Sequence, residues 1–189
     1  MGALRHLTPL LALPLALAAC RDAKVALYRV PKEKDPELPV ASAPAAGPAL
    51  TWTAPAEWRA KPASAMRKGS YAVPGEGGVE ADLSITAFPG DVGGELANVN
   101  RWRGQVQLPP LGEADLGGAI SHVAQNGLPF TLADFAAGNG SKSQRILGAI
   151  VPYADSTWFF KLTGPDALVA KSKPDFLAFL KTVKPGAQP

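Results

Sequence analysis

The stretch Val79-Glu80-Ala81-Asp82-Leu83-Ser84-Ile85-Thr86-Ala87 decides the fold, because apolar and polar residues alternate along it without a break. Successive side chains of a β-strand point to opposite faces, so the pattern predicts a strand with one buried face and one wet face. A weaker strand is predicted over 65–73. The residues Pro74-Gly75-Glu76-Gly77-Gly78 between the two runs are typical of a hairpin turn. They lack the GxGxxG spacing of a phosphate loop.

Two more hairpins follow along the chain. Runs at 119–125 and 128–135 flank Asn126-Gly127, a dipeptide that tolerates positive φ and favours a tight turn. Runs at 145–151 and 157–163 flank a second turn at 152–156 and carry bulky residues on both faces. This last pair is therefore predicted to lie at the centre of the sheet.

Two longer helices complete the predicted fold. Asp91 can cap a helix from Gly93 to Gln105, and a short helical turn is expected over 113–116. Ser172 and Asp175 resemble a capping box for a C-terminal helix that ends before Pro185. The order of elements predicts an α+β fold, a mainly antiparallel sheet of about six to seven strands with an early and a C-terminal helix packed on it.

The early helix has an apolar stripe at Val99, Trp102 and Val106. Asn98 and Arg101 fall on the opposite side and are expected to face water. With Asp91 they form a candidate surface for a ligand or partner.

Arg103 falls inside the apolar arc of this helix, where a charge is unexpected. An unpaired buried charge is costly, so we predict a mostly buried Arg103 in a structural ion pair, with Asp82 or Asp91 as the partner. Several backbone carbonyls are the alternative acceptors for its guanidinium. The functional alternative is an arginine that awaits an acidic ligand.

The first 19 residues have the pattern of an export signal. Arg5 precedes an apolar run from Leu7 to Ala19, which is too short to span a bilayer. Leu17-Ala18-Ala19-Cys20 resembles the lipobox of bacterial lipoproteins. That resemblance implies cleavage before Cys20 and attachment of diacylglycerol and an acyl chain such as palmitate. The alternative is an ordinary secretory signal cut elsewhere near Ala19.

The predicted domain organisation has four parts. Signal peptide 1–19 is followed by a lipidated N-terminus and Pro/Ala/charged tether at 20–49, one globular domain at 50–184, and a flexible tail at 185–189. A Pro-rich recognition segment is the alternative for the tether. Arg21 follows Cys20 where an aspartate would signal inner-membrane retention, which favours the periplasmic face of the outer membrane.

Composition limits the functions that this chain can carry. The formal charge of +3 comes from 19 basic and 16 acidic residues spread along the chain, which argues against nucleic-acid binding. Nucleophile-elbow, HExxH, Walker and Rossmann motifs are all absent from the sequence. His122 is read as a satisfied strand or surface histidine. No catalytic residue, metal or cofactor is therefore predicted.

Several segments, among them ITAFPGDVGG, ANVNRWRGQ and TWFFKLTG, resemble an uncharacterised family of exported bacterial proteins with a GDxGGxxxNxxRWRxQ motif. The order of elements is also similar to the PsbP-like fold. This resemblance implies a sandwich of helices on a sheet and a non-catalytic accessory or binding role.

The expected function is accordingly a non-enzymatic envelope lipoprotein, with its lipid in the membrane and an unknown envelope protein or small ligand as partner. The alternative is an envelope hydrolase that uses acidic residues, for which Asp82, Asp91 and Glu95 are the candidate carboxylates.

Overall fold

The computed structural model describes residues 49–62 and 64–186, with only the backbone of Ser141. The predictions for the signal peptide, Cys20 and the tether lie outside these residues. No helix among the described residues is long and apolar enough to cross a membrane.

Seven antiparallel strands form the main sheet, in the order β2-β3-β4-β8-β7-β6-β5. Their bounds are β2 Arg59–Ala60, β3 Gly69–Pro74, β4 Glu80–Pro89, β5 Ile120–Gln125, β6 Leu128–Ala137, β7 Gln144–Tyr153 and β8 Ser156–Pro165. A separate two-stranded ladder joins β1 (Leu50–Thr51) to β9 (Lys184–Pro185). The α+β class, the antiparallel sheet and the central position of β7 and β8 are confirmed.

Helices cover both faces of the sheet. Helix α1 (Gly94–Gln105) and α2 (Glu113–Ala119) pack on one face, and α3 (Asp166–Lys171) and α4 (Lys173–Thr182) pack on the other. We call these the α1 face and the α4 face. Because strand side chains alternate, β8 sends Phe159 to the α1 face and Phe160 to the α4 face. The sheet thus lies between two apolar cores.

The α1 face owes its close packing to one small residue. Trp102 of α1 is 5% exposed and its indole ring lies on Gly148 of β7, where a Cβ atom would overlap the ring. Trp102 also meets Phe159 edge to face at 6.0 Å between ring centroids. The prediction that Val99, Trp102 and Val106 form a buried stripe is confirmed.

The pattern on β4 departs from the prediction in two places. Val79 lies just before the strand and is 45% exposed, although the alternation placed it in the core. Ser84, expected on a wet face, is buried, and its hydroxyl lies 3.5 Å from the Lys161 carbonyl of β8. The alternating pattern therefore located β4 correctly, but it predicted too much exposure for the polar face of the strand.

The C-terminal region also differs from the prediction. Ser172 has helical φ and ψ, continues from α3 and makes no side-chain capping bond. Helix α3 was not predicted. The prediction started the flexible tail at residue 185, which is too early. Pro185 pairs with Leu50, and the Gly186 N–H donates to the Ala49 carbonyl.

Candidate ligand-binding cavity

A cavity of about 680 Å³ opens on the α1 face, between the start of α1, the β5–β6 hairpin and the β7–β8 hairpin. We call it the α1 cavity. Its polar lining includes Asp91, Glu95, Asn98, His122, Thr131 and Asp155. Ile150 and Pro129 form an apolar part of its wall. No lysine or arginine is among the lining residues that the structure describes.

Glu95 connects the helix to the sheet at the middle of the cavity. Its Oε1 atom lies 2.7 Å from His122 Nε2 and also accepts a short hydrogen bond from the Thr131 hydroxyl. His122 and Thr131 are direct partners across β5 and β6, so they point to the same face. A single oxygen of the Glu95 carboxylate thus bonds to one side chain of β5 and one of β6.

The Glu95 carboxylate is held in its ionised form. Partial burial raises its pKa, but hydrogen bonds from Thr131 and His122 and the charge interaction with His122 outweigh burial, so the pKa is lowered from 4.5. The site therefore presents a negative charge and hydrogen-bond acceptors at neutral pH.

Asn98 fixes the loop that leads into α1. It is 1% exposed, and its Nδ2 atom donates to the carbonyls of Val92 at 3.1 Å and Gly94 at 2.6 Å. Its Oδ1 atom accepts from the Arg101 guanidinium at 2.7 Å. The expectation that Asn98 faces water is wrong, because the loop before the helix folds back over this part of α1.

The three residues of the predicted ligand surface have different roles in the structure. Asp91 and Asn98 both line the cavity. The N-cap position of α1 belongs to Gly93 and not to Asp91, although Asp91 Oδ1 accepts from the N–H of Gly94, the first residue of the helix, at 3.0 Å. Arg101 is exposed, does not line the cavity, and supports it through Asn98.

The β7–β8 hairpin closes the opposite wall. Its turn places Ala154 and Asp155 at positive φ, 49° and 55°, as a tight two-residue hairpin requires. The Gly90 N–H donates to the Asp155 carbonyl, and the Thr157 hydroxyl donates to the Gly90 carbonyl, both at 2.7 Å. These bonds join the hairpin to the loop before α1.

Arg103 bonds to a backbone carbonyl, the alternative acceptor, and does not form the expected ion pair with Asp82 or Asp91. It is half-buried, its Nε donates to the Pro109 carbonyl at 2.9 Å, and its guanidinium lies 5.8 Å from the centre of the Phe135 ring. Among the described residues it forms no ion pair. A carbonyl and an aromatic face supply the acceptors that a semi-buried guanidinium needs.

Asp82 does not join the other candidate carboxylates. It lies on β4, where it binds Lys61 at 2.6 Å and Arg67 at 3.0 Å. Burial raises its pKa, but hydrogen bonds and charge from these two cations outweigh it, so the pKa lies below 3.8. Asp82 holds Lys61 and Arg67 on the sheet and is not among the residues that line the cavity.

Sequence reasoning did not bring Glu95, His122 and Thr131 together. The signal was present in the Asn126-Gly127 turn, because a two-residue turn fixes the register of the strands on either side. Counting back from Gln125 opposite Leu128 places His122 opposite Thr131. Contact with Glu95 depends on how α1 sits on the sheet, which strand register does not contain.

No family model matches this chain. No curated protein sequence matches it either.

Solved structures do resemble it. LpqN of Mycobacterium tuberculosis, a protein involved in cell envelope biogenesis, matches with a TM-score of 0.51 at 15% identity, over 76% of this chain and 87% of LpqN. A Bacteroides thetaiotaomicron protein matches with a TM-score of 0.47 at 12% identity, over 74% of this chain and 46% of its own length. This chain therefore spans about half of that protein. The solution structure of PsbP from the cyanobacterium Synechocystis gives a TM-score of 0.45 at 15% identity, over 77% of this chain and 98% of PsbP. The LpqN match shows a shared fold.

Proposed function

We propose that this chain is a bacterial envelope lipoprotein, anchored through lipid on Cys20, whose domain binds a small ligand in the α1 cavity without transforming it. The proposed anchor rests on the lipobox-like residues 17–20 and on the Pro-rich segment that follows. The fold is one that LpqN, a protein of cell envelope biogenesis, also has.

The engagement of the Glu95 carboxylate by Thr131 and His122 is the observation that favours binding over a proton-donating role in hydrolysis. A carboxyl group that donates a proton during glycoside cleavage needs a raised pKa. The pKa of Glu95 is lowered, and Oε1 is already occupied by Thr131 and His122. The Oδ1 atom of the neighbouring Asp91 accepts from the Gly94 N–H at the start of α1.

The charge of the lining indicates the ligand's chemistry. Three acidic residues, Asp91, Glu95 and Asp155, are among the lining residues, whereas Arg101 bonds to Asn98 and is not one of them. A ligand with an amino group or several hydroxyl donors fits such a lining, and an anion of equal size does not.

Isothermal titration with two sugar-sized probes of opposite charge tests this proposal. Glucosamine should bind detectably and glucuronate should not, and Glu95→Gln should weaken glucosamine binding by roughly tenfold. Glu113→Gln, an equivalent change on the exposed surface of α2, serves as the control. Equal binding of both probes, or turnover of a glycoside by the wild type that Glu95→Gln abolishes, contradicts the proposal.

A further inference from the structure

The main sheet protects one of its edges and leaves the other open. At one edge, β2 is only two residues long, carries Arg59, and is followed by Lys61 and Pro62. Short strands, charges and proline are the usual means of preventing strand addition. At the other edge, β5 has six residues with no lysine, arginine, acid or proline, and in the described part of the chain it pairs only with β6.

The turn between β5 and β6 determines which backbone groups of β5 point outward. Asn126 and Gly127 have φ of 52° and 75°, so Gln125 and Leu128 flank a two-residue turn and exchange backbone hydrogen bonds. Bonds to β6 therefore fall on alternate residues, which include Gln125 and Val123. The N–H and C=O groups of His122 and Ala124 point away from the sheet.

We propose that a second copy of this chain adds its own β5 antiparallel to this open edge, with Val123 opposite Val123 of the second copy. In this register His122 pairs with Ala124 of the second copy, and both residues offer outward backbone groups. Two copies therefore exchange about four backbone hydrogen bonds. The identical strands are compatible with each other because neither carries a lysine, arginine or acidic residue that would repel its copy.

The exposed Val123 side chain selects this register. Val123 is 36% exposed and is one of three large hydrophobic residues on the described surface, with Met66 and Val79. Side chains opposite each other at a position without hydrogen bonds approach most closely, so each valine covers the other. A shift of the axis to His122 would leave both valines uncovered and bring two imidazoles together.

The strength of this contact depends on the membrane. One strand pair buries less than the roughly 1,000 Å² of a stable interface, so copies in dilute solution should remain mostly apart. Copies held on one membrane meet at a higher effective concentration, which makes a weak contact sufficient. This step rests on the proposed lipid anchor. Because His122 lies on β5 and in the cavity lining, the second copy would sit beside the cavity's rim.

Cysteine cross-linking in membranes that carry the full-length protein tests the register. Val123→Cys brings two thiols face to face across the axis, within the roughly 4.5 Å between Cβ atoms that a disulfide needs. Ser121→Cys is the matched control, because it is exposed on the same strand and the same face but lies opposite Gln125 of the second copy. After mild oxidation, Val123→Cys should give roughly tenfold more disulfide dimer than Ser121→Cys on a non-reducing gel.

A second variant separates strand addition from chance collision. Ala124→Pro in the Val123→Cys background removes an outward N–H and should abolish the dimer while leaving the melting temperature close to that of Val123→Cys alone. Equal dimer from both cysteine positions, or none from Val123→Cys, overturns the proposal. A strand of some other protein at this edge would also give no Val123→Cys dimer. Disulfide dimers of the wild type through Cys20 would instead contradict the lipid anchor, since Cys20 is the chain's one cysteine.

Discussion

Gly148 of β7 lies under the indole ring of Trp102, and this contact sets the distance between α1 and the sheet. A Cβ atom on residue 148 would overlap Cζ3 of the ring and lie 2.6 Å from two further ring atoms. The position of α1, which carries Glu95 and Asn98, therefore depends on residue 148 having no side chain.

We expect Gly148→Ala to lower the free energy of unfolding by about 3 kcal/mol, because Trp102 must leave its packed position. Gly104→Ala is the control, since a Cβ there meets nothing within 4 Å and alanine favours helix by up to about 1 kcal/mol. Urea denaturation measures both changes. A Gly148→Ala protein as stable as the wild type would show that α1 is free to shift.

Arg145 joins two strands to α3 in one ion-pair network. It donates to Asp134 at 2.6 Å and to Asp166 at 2.7 Å. The hydrogen bond to Asp166 is the largest cause of its raised pKa, and the bond to Asp134 adds to it despite burial. Arg145→Met should cost about 2 kcal/mol by urea denaturation, because it removes the cation that binds Asp166 and leaves Asp134 with Lys173 alone. Lys171→Met breaks a fully exposed pair with Glu76 and should change nothing measurable, and equal effects would disprove the role of burial.

Stability should fall in acid through Asp82 and Glu95. Both pKa values are lowered in the folded state, so the unfolded chain binds more protons as the pH falls below about 5. The stability that these groups contribute is complete above their ordinary pKa values of 3.8 and 4.5, and is lost as the pH falls through the folded values. Asp82→Asn and Glu95→Gln should each flatten the dependence of unfolding free energy on pH between about pH 5 and pH 2. An unchanged slope in both variants would contradict this assignment.

The two arginines beside Trp102 should contribute similarly to stability. Arg101→Ala leaves the buried Asn98 Oδ1 without its donor, and Arg103→Ala removes the bond to Pro109 and the contact with Phe135. Each change should cost about 1 kcal/mol by thermal unfolding. Only Arg101→Ala should also weaken glucosamine binding, since Asn98 lines the cavity. If Arg103→Ala weakens binding instead, the ligand lies elsewhere.

The lipid anchor is testable at one residue. Cys20→Ser removes the thiol that would carry diacylglycerol, so the variant should stay uncleaved by the lipoprotein peptidase. Metabolic labelling with a clickable palmitate should mark the wild type and leave the variant unlabelled. Equal label in both proteins would exclude acylation at Cys20.

The sequence revealed the strands better than the contacts between layers. Alternation from Ala81 to Ile85 and the Asn126-Gly127 turn located β4 and the β5–β6 hairpin, because both signals depend on neighbours along the chain. The short strands β1, β2 and β9 were missed, since two residues are too few to show a period. Helix α3 was missed because the capping-like residues Ser172 and Asp175 suggested a later start.

The candidate site was harder to predict for a physical reason. The contact of Asp91 with the start of α1 was foreseen, because the Gly94 N–H lies within a few residues of it along the chain, but the N-cap itself is Gly93. The burial of Asn98 and the partners of Arg103 depend on how loops at 90–93 and 107–110 fold back on α1. A helical wheel holds no information about such loops, so it placed Asn98 in water and gave Arg103 a carboxylate.

The double attachment of Gly90 to the β7–β8 hairpin means that the cavity is built before any ligand arrives. The Asp155 carbonyl and the Thr157 hydroxyl hold both backbone groups of this residue, and Asn98 holds the next turn of the same loop. A ligand that enters does not have to order this wall, so little conformational entropy is lost on binding. Selectivity at such a site comes from shape and charge that are already in place, and a molecule that does not match them cannot obtain a fit by remodelling the loop.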